Sequence, residues 1–410
     1  MFSQIFGFEI RYWLRSWMLW IFLFIIALLI FFATSTDQVT IGGALENTDR
    51  NAPYVIQNLY SFICLLALLM SVAFVNSAAT RDFAHNTAQL LFATPLKKFN
   101  YLFGRYLGSA AISVIPLLGV SLGILVAKYM PWNDPDRWGP IHWMAHLNGI
   151  LLFAIPNSLL IAAIIFAIAI MTRNTVVSFV GGLVLLTGYG VGDALVKDIR
   201  HERIAAILDP FGIRTFVLVT KYWTVAEKNH NAVGYGDPLL LWNRVLWLAV
   251  SALIFAFAYS RFRFEERAVK PKKVRVKKAK PEAVRLHAPT AAVPHFGVGA
   301  QLTQFRGSTR IEFLGLVKSV PFIVITIAAL LNCITSLLVS GTDGYGNSSF
   351  PVTYYLIDVI QSTLYTFLFA MITYYAGVLV GKERDAGVDD INDTLPRRDW
   401  PALGSKLIAL

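Results

Sequence analysis

The chain has 410 residues, of which 56% are hydrophobic and only 15% charged, and its mean hydropathy is +0.57. Soluble chains carry about 25% charge, so this one has too few charges to cover a water-facing surface and lipid must face much of it. The same numbers exclude disorder over most of the length. The net charge of +11 gathers largely in one tract and does not point to nucleic acid, and Cys64 and Cys333 fall in apolar runs, which leaves no disulfide framework or metal cluster.

Phe2, Ile5, Phe6, Ile10, Trp13 and Trp17 recur at helical spacing, opposite Gln4, Arg11 and Arg15. That pattern predicts an interfacial helix leading into the membrane. Apolar runs long enough to span follow at 17–33, 55–79, 102–127, 147–171, a shorter Gly-rich 176–191, 239–259, 320–339 and 354–380, and a ninth starts at 401–410. The first is read as an uncleaved anchor, because its Trp and Phe content and its length do not suit a signal peptide. Arg11, Arg15, Arg81, Lys97, Lys98, Arg173, the tract after Arg261, Lys382, Arg384, Arg397 and Arg398 all fall on one side, so the N-terminus is placed in the cytoplasm. Thr172-Arg173-Asn174 reads as a tight turn. The outer segment 193–238 reads as surface-lying, with a short amphipathic helix at 199–208. Pro116 and Pro156 permit bends in the third and fourth spans, and Ser178-x-x-x-Gly182 and Gly188-x-x-x-Gly192 permit close helix contact in the fifth.

A plan recurs. Glu9, Arg15 and Ser16 match Glu312, Lys318 and Ser319, each set preceding a span, a polar loop and a second span. Each second span ends in a charged pair, Arg81-Asp82 or Lys382-Glu383, with Pro95 or Pro396 at the same distance beyond. This is the pattern of a parallel membrane repeat. It gives an all-α integral membrane protein, a polytopic helix bundle with a six-span unit at 1–260, a basic cytoplasmic linker at 261–304, and the start of a second unit at 305–410 holding two spans and a loop. Since the first copy has six spans, either the second unit is degenerate or the chain is a fragment of a longer protein, and the fragment is the favoured expectation. Between Arg261 and Arg285 stand eleven Lys or Arg against three Glu. That tract reads as a Pro-interrupted linker that anchors topology, and anionic lipid headgroups are the partner its charge would suit at Lys272, Lys273, Arg275, Lys277 and Lys278. Stacking aromatics for nucleic acid are not interleaved with it.

Enzyme constellations are missing. The chain has no G-x-x-x-x-G-K-[ST] and no G-x-G-x-x-G, and His201-Glu202 is followed by Ala205 where a zinc site needs its second His. His142 and His146 lie at i, i+4 without a third ligand nearby and read as an outer-interface pair. The centres of the third to sixth spans carry no acid, and Asp358 and Gln361 read as boundary residues, so no proton relay is visible and the energy source is expected to lie outside the chain.

The inner loop at 81–95 is the most specific feature. After Arg81-Asp82, the positions Phe83, Thr87, Leu90 and Leu91 predict one apolar helical stripe outside the membrane. Thr94-Pro95 ends it, and Lys97-Lys98 follow. An exposed apolar face must be buried by the ends of other spans or by a partner with a groove.

This arrangement resembles the permease subunits of type 2 ABC exporters, with a surface helix before the first span, six spans per unit and a coupling helix between the second and third. The residues that carry the resemblance are Arg81-Asp82, Thr87, Leu90-Leu91, Thr94-Pro95 and Gly104-Arg105, and in the second copy Lys382-Glu383, Pro396, Gly404 and Lys406. The second loop departs from the pattern with Asn392 and with acids at 385, 389, 390 and 393. The stretches Leu208-Asp209-Pro210-Phe211-Gly212, Tyr222-Trp223-Thr224 and Trp242-Asn243-Arg244 look like a bacterial tandem-permease subgroup, some members of which are fused to a zinc aminopeptidase domain. The resemblance implies an inner-membrane permease with an ABC ATPase partner that carries the ATP, and with a second permease unit in the same chain or in a dimer partner. No cofactor and no metal is expected in this chain. The alternative is the membrane-embedded N-terminal part of a zinc metallopeptidase. The substrate is not legible.

Overall fold

Hydropathy dictates where this chain is helical, since backbone groups within a bilayer must bond within their own segment. The computed structural model describes residues 1–36, 48–85, 87–195, 202–264, 297–339, 350, 352–385, 387, 394 and 399–410. Among the described residues the secondary structure is helical, without strands. Among the described residues seven helices are long and apolar enough to cross a membrane, and an eighth counts if the bent pair Val298–Val317 and Pro321–Leu337, at 56°, is one span. The chain is an all-α polytopic membrane protein. It divides into two units, Met1–Phe264 and Glu265–Leu410.

The first unit begins with α1 (Phe2–Leu14) and a break at Arg15-Ser16, then α2 (Trp17–Ser35), α3 (Pro53–Ala84), the short α4 (Ala88–Phe92) and α5 (Lys98–Lys128). Trp17 therefore opens α2 and is exposed, whereas the periodicity had assigned it to the face of α1. The expected fourth span is composite: α6 (Trp143–Gly149), a wide turn over Ile150–Ala154, and α7 (Ile155–Thr172). Pro156 explains the wide turn, because it has no N–H for a helical bond and its ring crowds the preceding turn. Pro116, in contrast, sits inside an unbroken α5.

Arg173 joins α7 to α8 (Thr175–Leu195) from the left-handed region, at φ 51°. Asn174 caps α8, its Oδ1 accepting from Val176 N at 2.9 Å. The described part of the segment expected on the outer side is a packed cap of three short helices, α9 (Glu202–Leu208), α10 (Ile213–Thr220) and α11 (Val225–His230), followed by α12 (Pro238–Arg261). Phe216 of α10 is fully buried, stacked on Tyr54 and edge-on to Phe153. Gln57 of α3 closes the cap by exchanging two hydrogen bonds with the backbone of Val233, at 2.7 and 2.8 Å.

Close packing in this unit runs along α5. A Cβ on Gly104 or Gly108 would meet Ile5 Cγ2 at 2.9 Å or Glu9 Cβ at 2.7 Å, and one on Gly119 or Gly123 would meet the carbonyl oxygens of Leu23 at 2.7 Å or Ala27 at 2.5 Å. Two small-xxx-small pairs on one helix thus seat α1 and then α2. The two pairs expected to do this in the fifth span behave differently from each other. Gly182 abuts Val72, but Gly188 and Gly192 face open space.

The second unit holds α13 (Val298–Val317), α14 (Val320–Val339), α15 (Thr353–Asp385) and α16 (Trp400–Ala409). Its buried apolar knot joins Leu316, Tyr375 and Leu379, with Phe322 and Met371 against them.

Candidate functional site

The end of the first unit that carries α4 contains a sealed charge cluster. Glu9 comes from α1, Arg81 and Asp82 from the last turn of α3, and Tyr101 and Arg105 from the first turns of α5. Glu9 is 0% exposed and all four charged groups are buried. Arg81 donates from Nη1 and Nη2 to the two oxygens of Glu9 at 3.3 and 3.2 Å. Arg105 bonds Glu9 through Nη1 and Asp82 through Nη2, the latter at 2.7 and 2.6 Å to the two oxygens. Tyr101 donates its hydroxyl to Asp82 Oδ2 at 2.7 Å. The face of the Arg81 guanidinium lies over the Tyr12 ring at 3.7 Å. Two acids and two bases balance, as a desolvated cluster requires. The three chain segments that meet here cannot separate without breaking an ion pair.

α4 is rooted beside this cluster. α3 ends at Ala84, and Thr87 N bonds the carbonyl of Asp82 at 2.9 Å. Phe92 then enters an aromatic box, 5.9 Å from Phe83, 5.8 Å from Tyr101 and 4.8 Å from Phe264. Tyr101 belongs to both the box and the charge cluster. The turn between α7 and α8 reaches the same place, Arg173 lying 4.1 Å above the Phe83 ring.

The expected single stripe is thereby corrected. Phe83 belongs to α3 and packs inward, Thr87 precedes α4 and is exposed, Leu91 packs against the core, and Leu90 alone of the four is an apolar side chain turned out, at 76% exposure. Thr94 ends the element by bonding Leu91 O at 2.6 Å, and Pro95 is exposed. Phe92 and Tyr101 were not singled out by sequence reasoning, and Glu9 was read only as a match to Glu312 in the repeat, although it stands on the otherwise apolar face of α1.

In the second unit Lys382 bonds Glu312 at 2.6 Å and Lys406 pairs with Glu383 at 3.1 Å. These pairs have the signs and chain order of Glu9–Arg81 and Asp82–Arg105, but they are partly exposed. Pro396, Asn392 and the linker residues Lys272, Lys273, Arg275, Lys277 and Lys278 lie outside the described residues, as does His201.

Residues 38–192 match the family model described as ABC-2 family transporter protein. The match takes in α3 to α7 and most of α8. Together with the apolar helices it supports a membrane permease of the ABC transporter class, and ABC-2 permeases normally work with an ABC ATPase. No curated protein and no solved structure matches the chain.

The opposite end carries the second signature of the sequence. Asn243 of α12 donates to the carbonyls of Ala206, Ile207 and Asp209 at 2.9, 2.9 and 2.8 Å. Arg244 bonds Asn157 at 2.9 Å, and Gly212 at φ +73° leaves room for its guanidinium, which a Cβ there would strike. Asp209 accepts from Phe211 N and Arg214 N at 3.0 and 2.7 Å. Burial nonetheless holds its carboxyl above the usual range. Asn243 and Arg244 therefore staple the turn at 208–212. The expected outer histidine pair is divided: His146 is buried and bonds Ser121 at 2.8 Å, while His142 lies in the loop before α6. Among the described residues no group of three His, Cys, Asp or Glu could hold a metal ion.

Proposed function

We propose that the chain is the permease subunit of an ATP-driven exporter in a bacterial inner membrane, with its N-terminus and α4 in the cytoplasm, and that a separate ABC ATPase docks on residues 81–95. The observation that carries this reading is Leu90. It stands exposed on a short helix outside the spans, and that helix is held rigidly by Phe92 and, through Asp82 and Tyr101, by the charge cluster. An exposed apolar side chain on a rigid mount suits a groove on a partner. Nucleotide binding and hydrolysis belong to that partner. This chain's part is mechanical: a push on α4 is passed by Phe92 and Tyr101 to α5, and by Asp82, Arg105 and Glu9 to α1, so spans and interfacial helix move as one body.

Orientation rests on charge. Arg11, Arg15, Arg81, Lys97, Lys98, Arg173, Arg261 and Arg263 share the α4 side of the first unit. The second unit is read as the start of a second copy. Support comes from Glu312–Lys382 and Glu383–Lys406, and from a knot in which Leu316, Phe322, Met371 and Tyr375 stand where Trp13, Leu19, Met70 and Phe74 pack in the first. Its loop, with Lys382, Glu383 and Pro396, would then be a second docking point, and the tract at Lys272 to Lys278 would meet anionic lipid.

The test is copurification of the full chain with the phosphate-loop ATPase encoded beside it. Leu90→Asp is expected to abolish association and transport-linked ATPase turnover while the permease stays folded. Unchanged association would overturn the reading.

A further inference from the structure

Both α8 and α12 pack on α7, α9 packs on α12, and residues of all four helices surround one space. The space left is a cavity of about 470 Å³, floored by Leu160, Ile161 and Ile164 of α7 and bordered by Trp247 of α12. That is the size of a small-ligand pocket. On the α8 side the wall is low: Gly188 and Gly192 line the cavity beside Val184, Leu185 and Tyr189, and a Cβ on either glycine would meet nothing within 4 Å. The rim residues Val184, Ile204 and Leu208 are apolar and exposed.

The polar groups at the edge are already occupied. The Asp209 carboxylate takes two backbone N–H groups, Trp247 donates to Ile207 O at 3.2 Å, and neither Tyr189 nor Arg214 is free. The rest of the lining is apolar or backbone, so most of the cavity wall offers a ligand dispersion contacts and not hydrogen bonds. An empty apolar cavity forfeits packing along its whole lining. Because 160–164 and 184–192 lie within helices long and apolar enough to cross a membrane, the α7 and α8 side of the cleft would face hydrocarbon.

We infer that this cleft binds one acyl chain of a membrane lipid from the leaflet beside α9, inserted between α8 and α12 against Gly188 and Gly192. The lipid is held by its tail, not by its headgroup. The inference goes beyond the transport reading and does not depend on it.

The experiment uses the full chain in lipid nanodiscs containing phosphatidylcholine with a photoreactive diazirine on one acyl chain, and peptide mapping of the adducts. Adducts are expected on α7, α8 and residues 202–214, lost to the annular background in Gly188→Leu plus Gly192→Leu and retained in Gly236→Leu, whose site is open and does not line the cavity. Retained labelling in the filled variant, or adducts spread evenly over all spans, would overturn the inference. A second measurement needs no variant: in the wild-type chain, excess long-chain phosphatidylcholine should compete the mapped adducts away, whereas dihexanoyl phosphatidylcholine should not. Labelling that does not saturate would be annular lipid and would sink the proposal.

Discussion

Glu9 and Arg81 lie 72 residues apart in sequence and face each other as a two-bond ion pair with no exposed carboxylate. Removing one member of a buried cluster leaves uncompensated charge, which typically costs about 3–5 kcal/mol. Glu9→Gln leaves Arg81 and Arg105 with Asp82 as their only acid. Its thermal midpoint in detergent should fall markedly, and more than that of Glu312→Gln, whose lysine partner is half exposed. Equal effects would mean that burial is not what gives the first cluster its strength.

Leu90 and Phe92 should separate docking from transmission. Leu90→Asp is expected to lose the ATPase altogether. Phe92→Ala should keep the ATPase bound but lose stimulation of its turnover, because the aromatic box behind α4 is emptied; the stability cost should stay below the roughly 3–5 kcal/mol of a fully buried Phe→Ala, Phe92 being only partly buried. Copurification and ATPase rate, measured side by side, check this.

The spans were legible because a bilayer demands long apolar runs, and the runs at 320–339 and 354–380 coincide with α14 and most of α15. The charge cluster was only half legible. Arg81-Asp82 and Arg105 stood out as a motif, but a lone Glu9 on an apolar face gains meaning only from Arg81 and Arg105, distant in sequence and brought close by tertiary packing. The stripe through Phe83 and Leu91 misled because the apolar periodicity runs on past Ala84, where α3 ends, and no Gly or Pro in the sequence marks that end. The glycines of α5 were findable: 104, 108, 119 and 123 form two small-xxx-small pairs in one span.

Gly123→Ala should prise α2 from α5, because the new methyl would sit 2.5 Å from the Ala27 carbonyl oxygen. Overpacking of this kind costs about 1–3 kcal/mol. Gly7→Ala, with nothing within 4 Å, should leave the thermal midpoint unchanged or slightly raised. Unfolding curves of the two variants decide it.

Acid should loosen the cap. Burial, reinforced by the charges of His230 and Lys128 and opposed by Asp49, holds His142 below the usual histidine range. A base depressed in the folded state binds fewer protons folded than unfolded. Its contribution is therefore complete above the ordinary value of about 6.5 and is lost as pH falls through the depressed one. Thermal midpoints from pH 7.5 downward should drop more steeply for the wild type than for His142→Gln. Parallel curves would assign the acid response to other groups.

The most direct test of the account is the side of the membrane on which α4 stands. Both native cysteines are buried, so Leu90→Cys and Tyr222→Cys can each be probed with an impermeant maleimide against a low background. Residue 90 should label in inside-out vesicles and become protected when the ATPase is added, whereas residue 222, which is 84% exposed on the cap, should label only in intact spheroplasts. Labelling of residue 90 from outside the spheroplast, or no protection by the ATPase, would contradict the account.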